Sequence, residues 1–176
     1  QCNNKATAQG SAVYMVQVGE VESKANNEDK VNTKKNNGKL LWWASNEGSA
    51  NDSTSRSSSL QYSKSADLKH SVVTQIRALD RNYDGLTDQL VFADLGGRVW
   101  RVDINSAEDA DDFVVERVTK LFDLSAGGSN AASSGTDALP RIYEKPLVTF
   151  TRLGEGTDIV GLVTVGTGDR SSPVRA

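Results

Sequence analysis

Seven short runs of this chain place apolar residues at alternate positions: "SAVYMVQV" (11–18), "KLLWWAS" (39–45), "SVVTQIRAL" (71–79), "QLVFAD" (89–94), "GRVWRVDI" (97–104), "IYEKPLVTF" (142–150) and "DIVGLVTVG" (158–166). Successive side chains of a strand point to opposite faces of a sheet, so period two with β-branched enrichment predicts half-buried strands. Turn residues separate the runs, and the fold class that follows is all-β with antiparallel pairing. "DLGGRV" (94–99) is a hairpin signal, because consecutive glycines supply the positive φ that tight connections need. "FVVERVTKLFDL" (113–124) is ambiguous: Val114, Val115, Val118 and Leu121 fit a helical stripe, but a strand over 117–123 suits its neighbours better.

Three stretches do not read as core. Residues 19–39, 46–59 and 125–138 are poor in large apolar side chains and rich in small or polar ones, so burial cannot offset the entropy of ordering them. They are expected to be polar insertions, solvated loops on a β scaffold. With them set aside, the strands near 71–79, 89–94, 97–104 and 117–124 form a consecutive antiparallel meander of four. That is the size of one propeller blade, a complete one over about 71–124. Two strands before it and two after it are expected to belong to flanking blades. One complete blade and two partial ones cannot close a ring, so the expectation is a partial propeller, a fragment of a larger domain spanning 1–176.

The length fits one compact unit with enough sequence to bury a core. A formal charge of -3 offers no broad basic field for phosphates, so nucleic acid is not an expected partner. No run of 18 apolar residues predicts a transmembrane segment, and "QCNNKATAQGS" lacks the layout of a signal peptide. The chain is expected to be soluble as made, or a mature or excised segment. Cys2 is the only cysteine: it either pairs with a cysteine outside these residues or is a free thiol on a frayed end. His70 is the only histidine, so a multi-histidine metal site would need residues outside this chain. A satisfied or solvent-facing His70 is the expectation.

The densest chemistry lies between the third and fourth runs. In "DRNYDGLTD" (80–88), Asp80, Asn82, Asp84 and Asp88 fall at positions 1, 3, 5 and 9, with Gly85 at position 6. Calcium takes six to eight oxygen ligands, alternate side chains of a tightly wound loop converge on one point, and the position-7 carbonyl, here of Leu86, adds another. Three carboxylates this close repel one another without a cation. An EF-hand would require a bidentate Glu at position 12, where this chain has Val91 inside a predicted strand. What remains is a compact nine-residue calcium loop leading into a strand. Its expected ligands are Asp80, Asn82, Asp84, Asp88 and the Leu86 carbonyl, and magnesium, which resists dehydration, suits it less well.

Other carboxylates have plainer roles. Asp94 is expected to cap its turn, Asp103 and Arg101 to serve as surface charges or a weak pair, and Glu108, Asp109, Asp111 and Asp112 to sit in a solvated loop. Trp42, Trp43 and Trp100 lie on predicted strands and read as packing residues.

The stretch "ALDRNYDGLTDQLVFADLGGRVWRVDI" (78–104) resembles the C-terminal β-propeller of the PilY/PilC family, tip-associated biogenesis factors and adhesins of bacterial type IV pili. In that family a D-x-(D/N)-x-D-G-x-x-D loop precedes a strand pair whose glycine-aspartate reads Ala93-Asp94 here. "AVYMVQV" with "GKLLWWAS", and "RIYEKPLVTF" with "LVTVGTGDRSSPV", resemble the flanking strands. The resemblance implies a modified propeller at a pilus tip, on the bacterial cell surface or in transit through periplasm and outer membrane. It also implies that calcium occupancy regulates pilus extension and retraction, twitching motility and surface adhesion. Minor pilins and other tip components are the implied partners, with a host-cell or abiotic surface beyond them. The family's N-terminal adhesive region is absent from these residues.

Two other functions use related architecture. Quinoprotein dehydrogenases combine propellers with calcium, but their cofactor needs a central pocket and several blades, and no such constellation is legible here. An enzyme is therefore not expected. A calcium-stabilised extracellular binding module of integrin-like type would carry more copies of the loop than the one found.

Overall fold

The computed structural model describes residues 10–22, 30–32, 38–46, 53–56, 60–105, 113–124, 140–152, 154, 159–168 and 170. Cys2, the acidic cluster from Glu108 to Asp112 and the expected insertion 125–138 lie outside the described residues. The described chain is all-β, with no helix and with sheets of two to four strands. Where length argued for one compact unit, the chain divides into two: residues 12–68, and residues 69–176 with 1–11.

The first unit contains β1 (Val13–Val16), β2 (Glu20–Glu22), β3 (Lys30–Asn32), β4 (Leu40–Ser45), β5 (Ser53–Arg56) and β6 (Gln61–Lys64). Four of these form a sheet in the order β1-β4-β6-β5, and β2 and β3 pair as a separate antiparallel ribbon. β1 and β4 are antiparallel, with Val13 opposite Ala44 and an irregularity between Met15 and Val16. β4 and β6 run parallel, Trp42 beside Gln61 and Ser45 beside Lys64. This sheet is therefore mixed rather than the edge of an antiparallel blade.

The strands of this unit also reach into sequence expected to be loop. β2 and β3 lie within 19–39, and β5 lies within 46–59. β5 is a polar Ser-Thr-Ser-Arg segment that pairs antiparallel with β6 through its backbone. An edge strand needs only main-chain bonds on one side, so low hydrophobicity does not bar it. Trp42 is wholly buried and donates its indole N–H to Ser63 Oγ at 3.2 Å. Trp43, on the opposite face, stacks on Tyr62 at 5.3 Å between ring centroids, and the Lys64 ammonium lies 5.7 Å and 5.4 Å from the two rings.

The second unit contains β7 (Arg77–Leu79), β8 (Gln89–Ala93), β9 (Arg98–Asn105), β10 (Val114–Asp123), β11 (Leu147–Arg152) and β12 (Ile159–Thr164). β7 to β10 form the four-stranded antiparallel meander, each strand beside its successor. β11 and β12 pair separately over six residues each. The ambiguous 113–124 segment is the strand β10, longer than 117–123, with irregularities at Val115/Arg117 and Lys120/Phe122 that let it follow the twist of β9.

Of the expected strand 71–79, only Arg77–Leu79 pairs. Thr74 explains why. Its hydroxyl donates to the Ala93 carbonyl and accepts from the Ala93 N–H, both at 3.0 Å, taking the two β8 groups that a longer β7 would bond through its backbone.

On one face of the meander Leu79, Val91, Ala93 and Val99 are buried together with Ile142, and Leu124, Val148 and Val165 pack against them. On the other face Phe92, Trp100 and Val102 are buried, with Phe92 stacked on Trp100 at 6.5 Å. β8 and β9 contribute to both of these apolar sets, which is why their sequences are nearly continuous in hydrophobicity.

Candidate functional site

The loop from Asp80 to Asp88 joins β7 to β8. Its ends are held by the sheet: Asp88 N–H donates to the Leu79 carbonyl at 2.9 Å, and Ile104 N–H on β9 donates to the Asp88 carbonyl at 2.8 Å. Between these anchors the chain winds around its own carboxylates. Asp80 accepts from Tyr83 N–H at 2.6 Å through Oδ1 and from Gly85 N–H at 2.9 Å through Oδ2. Asp84 accepts from Leu86 N–H at 2.7 Å and from the Asn82 amide at 2.7 Å. Asn82 Oδ1 accepts from Asp84 N–H at 3.2 Å, and Asp88 Oδ2 accepts from Arg81 N–H at 2.7 Å.

The local reason is that short carboxylate and amide side chains bond backbone N–H groups a few residues on, closing turns that mimic main-chain ones. Two residues adopt positive φ to permit the winding: Gly85 at 89° and Tyr83 at 64°. Gly85 does so without strain, and Tyr83, whose ring is 88% exposed, is the non-glycine residue in this region of φ among those described.

The structure thus brings Asp80, Asn82, Asp84, Leu86 and Asp88 into one exposed loop. Among the described residues, no three His, Cys, Asp or Glu side chains gather closely enough to form a ready-made metal cage. The donor set nonetheless suits a hard cation: three carboxylates and one amide oxygen lie within nine residues, and a carboxylate oxygen that accepts one N–H retains a second lone pair.

At the far end of β8 a second aspartate organises a turn of a different character. Asp94 is wholly buried and accepts from Gly96 N–H at 2.8 Å, Arg98 N–H at 3.1 Å and the Trp100 indole at 3.0 Å. Burial pushes its carboxyl above the ordinary range, while the Trp100, Arg98 and Gly96 bonds and the nearby His70 pull the other way. The role is structural, as its place before Leu95-Gly96-Gly97 indicated. Of the two glycines only Gly97 takes a positive φ, at 79°. Gly96 is needed for room: a Cβ there would lie 2.2 Å from the His70 ring. His70 is 5% exposed, so it is a packed residue of this turn.

Asp103 is more than the weak partner expected of it. It accepts from Gln89 Nε2 at 2.7 Å, Arg101 Nη2 at 3.0 Å, and Arg117 Nε and Nη2 at 3.2 Å and 3.1 Å. Burial pushes its carboxyl up, but the bonds from Arg101, Arg117 and Gln89 outweigh that and hold it below the ordinary range. Gln89 and Arg117 lie one strand away on either side, an arrangement that only the register reveals.

No protein-family model matches this chain, and neither a curated protein nor a solved structure matches it. No helix among the described residues is long and apolar enough to cross a membrane.

Proposed function

We propose that residues 80–88 form a calcium-binding loop on a partial β-propeller of a type IV pilus tip or biogenesis protein. In this reading, calcium occupancy regulates pilus extension and retraction, twitching motility and surface adhesion. One observation carries the ion-binding part: a D-x-N-x-D-G-x-x-D segment wound so that Asp80 accepts from both Tyr83 and Gly85 while Gly85 takes a positive φ. The pilus assignment rests on the resemblance of 78–104 and the flanking strands to the PilY/PilC propeller, and the four-stranded antiparallel meander supports a blade-like unit.

Asp80, Asn82, Asp84 and Asp88 would hold the ion through side-chain oxygens and Leu86 through its carbonyl. The bound ion supplies positive charge that relieves the mutual repulsion of the three carboxylates. The chain's own bonds carry the consequence outward. Asp88 is tied to Leu79 of β7 and Ile104 of β9, so a loop tightened by the ion braces three strands of the meander. An ion that binds the wound loop and not an open one stabilises it by mass action, and affects any partner surface coupled to it. Minor pilins or other tip components are the partners this reading names. Its chemistry is binding and regulation rather than catalysis.

The test is calorimetric titration of calcium into chelator-stripped protein, with Asp84→Ala alongside and magnesium as competitor. Saturable calcium binding that is lost in Asp84→Ala, together with loss of twitching in cells carrying that substitution, is the expected result. A folded wild-type chain that binds no calcium overturns the reading. Asp88→Lys, which fixes a positive charge beside the loop, is expected to mimic the occupied state. An Asp88→Lys protein that behaves as the calcium-free one removes that part of the mechanism.

A further inference from the structure

The ribbon β11–β12 is built from residues that belong in a sheet covered on both sides. Paired residues share a face, so Val148, Phe150, Ile159 and Val163 lie on one side and Leu147, Val160 and Leu162 on the other. Val148, and Val165 just beyond β12, pack against the core cluster of the meander. Leu147, Phe150, Ile159, Leu162 and Val163 stay exposed, Ile159 most of all at 66%. Strands apolar on both faces are those of buried sheets, and two strands alone are marginal in water.

The two edges of the ribbon differ. No described strand pairs with either one. β11 follows Lys145-Pro146 and ends in Arg152, the kinds of residue with which edge strands are protected from further pairing. The stretch from Ile159 to Gly168 carries neither charge nor proline. Beside β12 lies a cleft of about 290 Å³, lined among the described residues by Val99, Leu121 and Phe122 of the meander and by Val163 and Val165, with no contribution from β11. Of the sequence outside the described residues, no stretch carries the run of large apolar side chains that would fill this cleft and continue the sheet.

We infer that β12 docks antiparallel against the β12 of a second copy of this chain. The strand is self-complementary. With the two-fold axis at Gly161, Ile159 stands opposite Val163 and Val160 opposite Leu162, each pair occurring twice. Every pair is apolar and joins residues of one face, so register and pleat agree and no like charges meet. Ile159 of the second copy then lies beside Val163 at the mouth of the cleft, which places the most exposed apolar side chain of the ribbon on an apolar opening. The joined sheet, β11-β12-β12-β11, has four strands, as the two larger sheets of the chain do. An interface of this kind, under about 1,200 Å², holds a reversible dimer rather than a permanent one.

The experiment is sedimentation of the full chain over a range of concentrations, in chelator so that the calcium loop plays no part, with amide hydrogen exchange read on the same samples. The expected result is a monomer–dimer equilibrium in which the β12 amides that β11 leaves unpaired gain protection as the dimer forms. Ile159→Lys places a charge at the cleft and should weaken the dimer at least about tenfold. Leu147→Lys, at an exposed position on β11 away from the joined edge, should leave it unchanged. A folded wild-type chain that stays monomeric at every concentration overturns the inference, and β12 amides protected in that monomer would mean that the edge is covered from within the chain. Association into species larger than a dimer overturns it equally, as does a folded Ile159→Lys protein that dimerises as wild type does.

Discussion

Two aspartate-centred turns sit at opposite ends of β8, and they use the same bonds for different ends. Asp94 and Asp80 both accept backbone N–H groups from residues that follow them in the chain. Around Asp94 there is no water to compete, and the Trp100 indole adds a third donor, so the carboxylate is committed to the fold. Around Asp80 the loop is exposed, and water replaces any lost bond at small cost. Burial, more than the donors themselves, separates a carboxylate that is part of the architecture from one whose bonds water can replace.

The largest effect expected to sharpen this contrast is that of Asp94→Ala. It strands three donors in a dry site and should lower unfolding free energy by about 4 kcal/mol, equally with calcium and with chelator, as read by denaturant titration. A loss that calcium repairs would mean that the two turns are one coupled unit. Next, calcium at a hundredfold excess over its dissociation constant should raise stability by about 2.7 kcal/mol in wild type and by nothing measurable in Asp84→Ala. An equal increment in both would place the ion elsewhere.

Gly96→Ala should cost about 2 kcal/mol, because the new methyl meets the His70 ring and the packed turn must shift. Gly85→Ala meets no neighbouring atom within 4 Å and is disfavoured only by its positive φ, so it should cost about 1 kcal/mol while weakening calcium binding. If Gly85→Ala proved the costlier of the two in thermal unfolding, crowding would not be what distinguishes the buried turn.

The subtlest test is pH. Asp94 titrates above its ordinary value of 3.8 in the folded protein, so the native state binds the proton more tightly than the unfolded chain. The stability of wild type relative to Asp94→Asn should be highest below that value and fall as pH rises through the folded pKa. Asp103 is shifted the other way, so its contribution is present above 3.8 and lost as acid protonates it in the native state. A difference between wild type and Asp94→Asn that grows with pH would show the three donors outweighing burial.

Much of this architecture was legible from short-range pattern. Runs such as Gln89–Ala93 and Arg98–Ile104 are nearly continuous in apolar residues because both faces of their sheet are buried, and that pattern is written residue by residue. The wound loop was legible for the same reason, since Asp80 reaches only to Tyr83 and Gly85. The ribbon β2–β3 and the strand β5 were not, because their pairing is carried by main-chain groups that every residue has. The shortening of β7 was hidden in Thr74, whose hydroxyl looks like any other until Ala93 lies beside it.

The sequence by itself determined the all-β class, the meander of four and the spacing of the carboxylate loop, because each depends on neighbours within a few residues or on simple alternation. Only the tertiary structure decided that β4 and β6 run parallel, that Asp94 is dry while Asp80 is wet, and that β12 keeps an edge no described strand takes. Those facts are set by strand register and by which surfaces exclude water, and both arise from hydrogen bonds and packing between residues far apart in the chain.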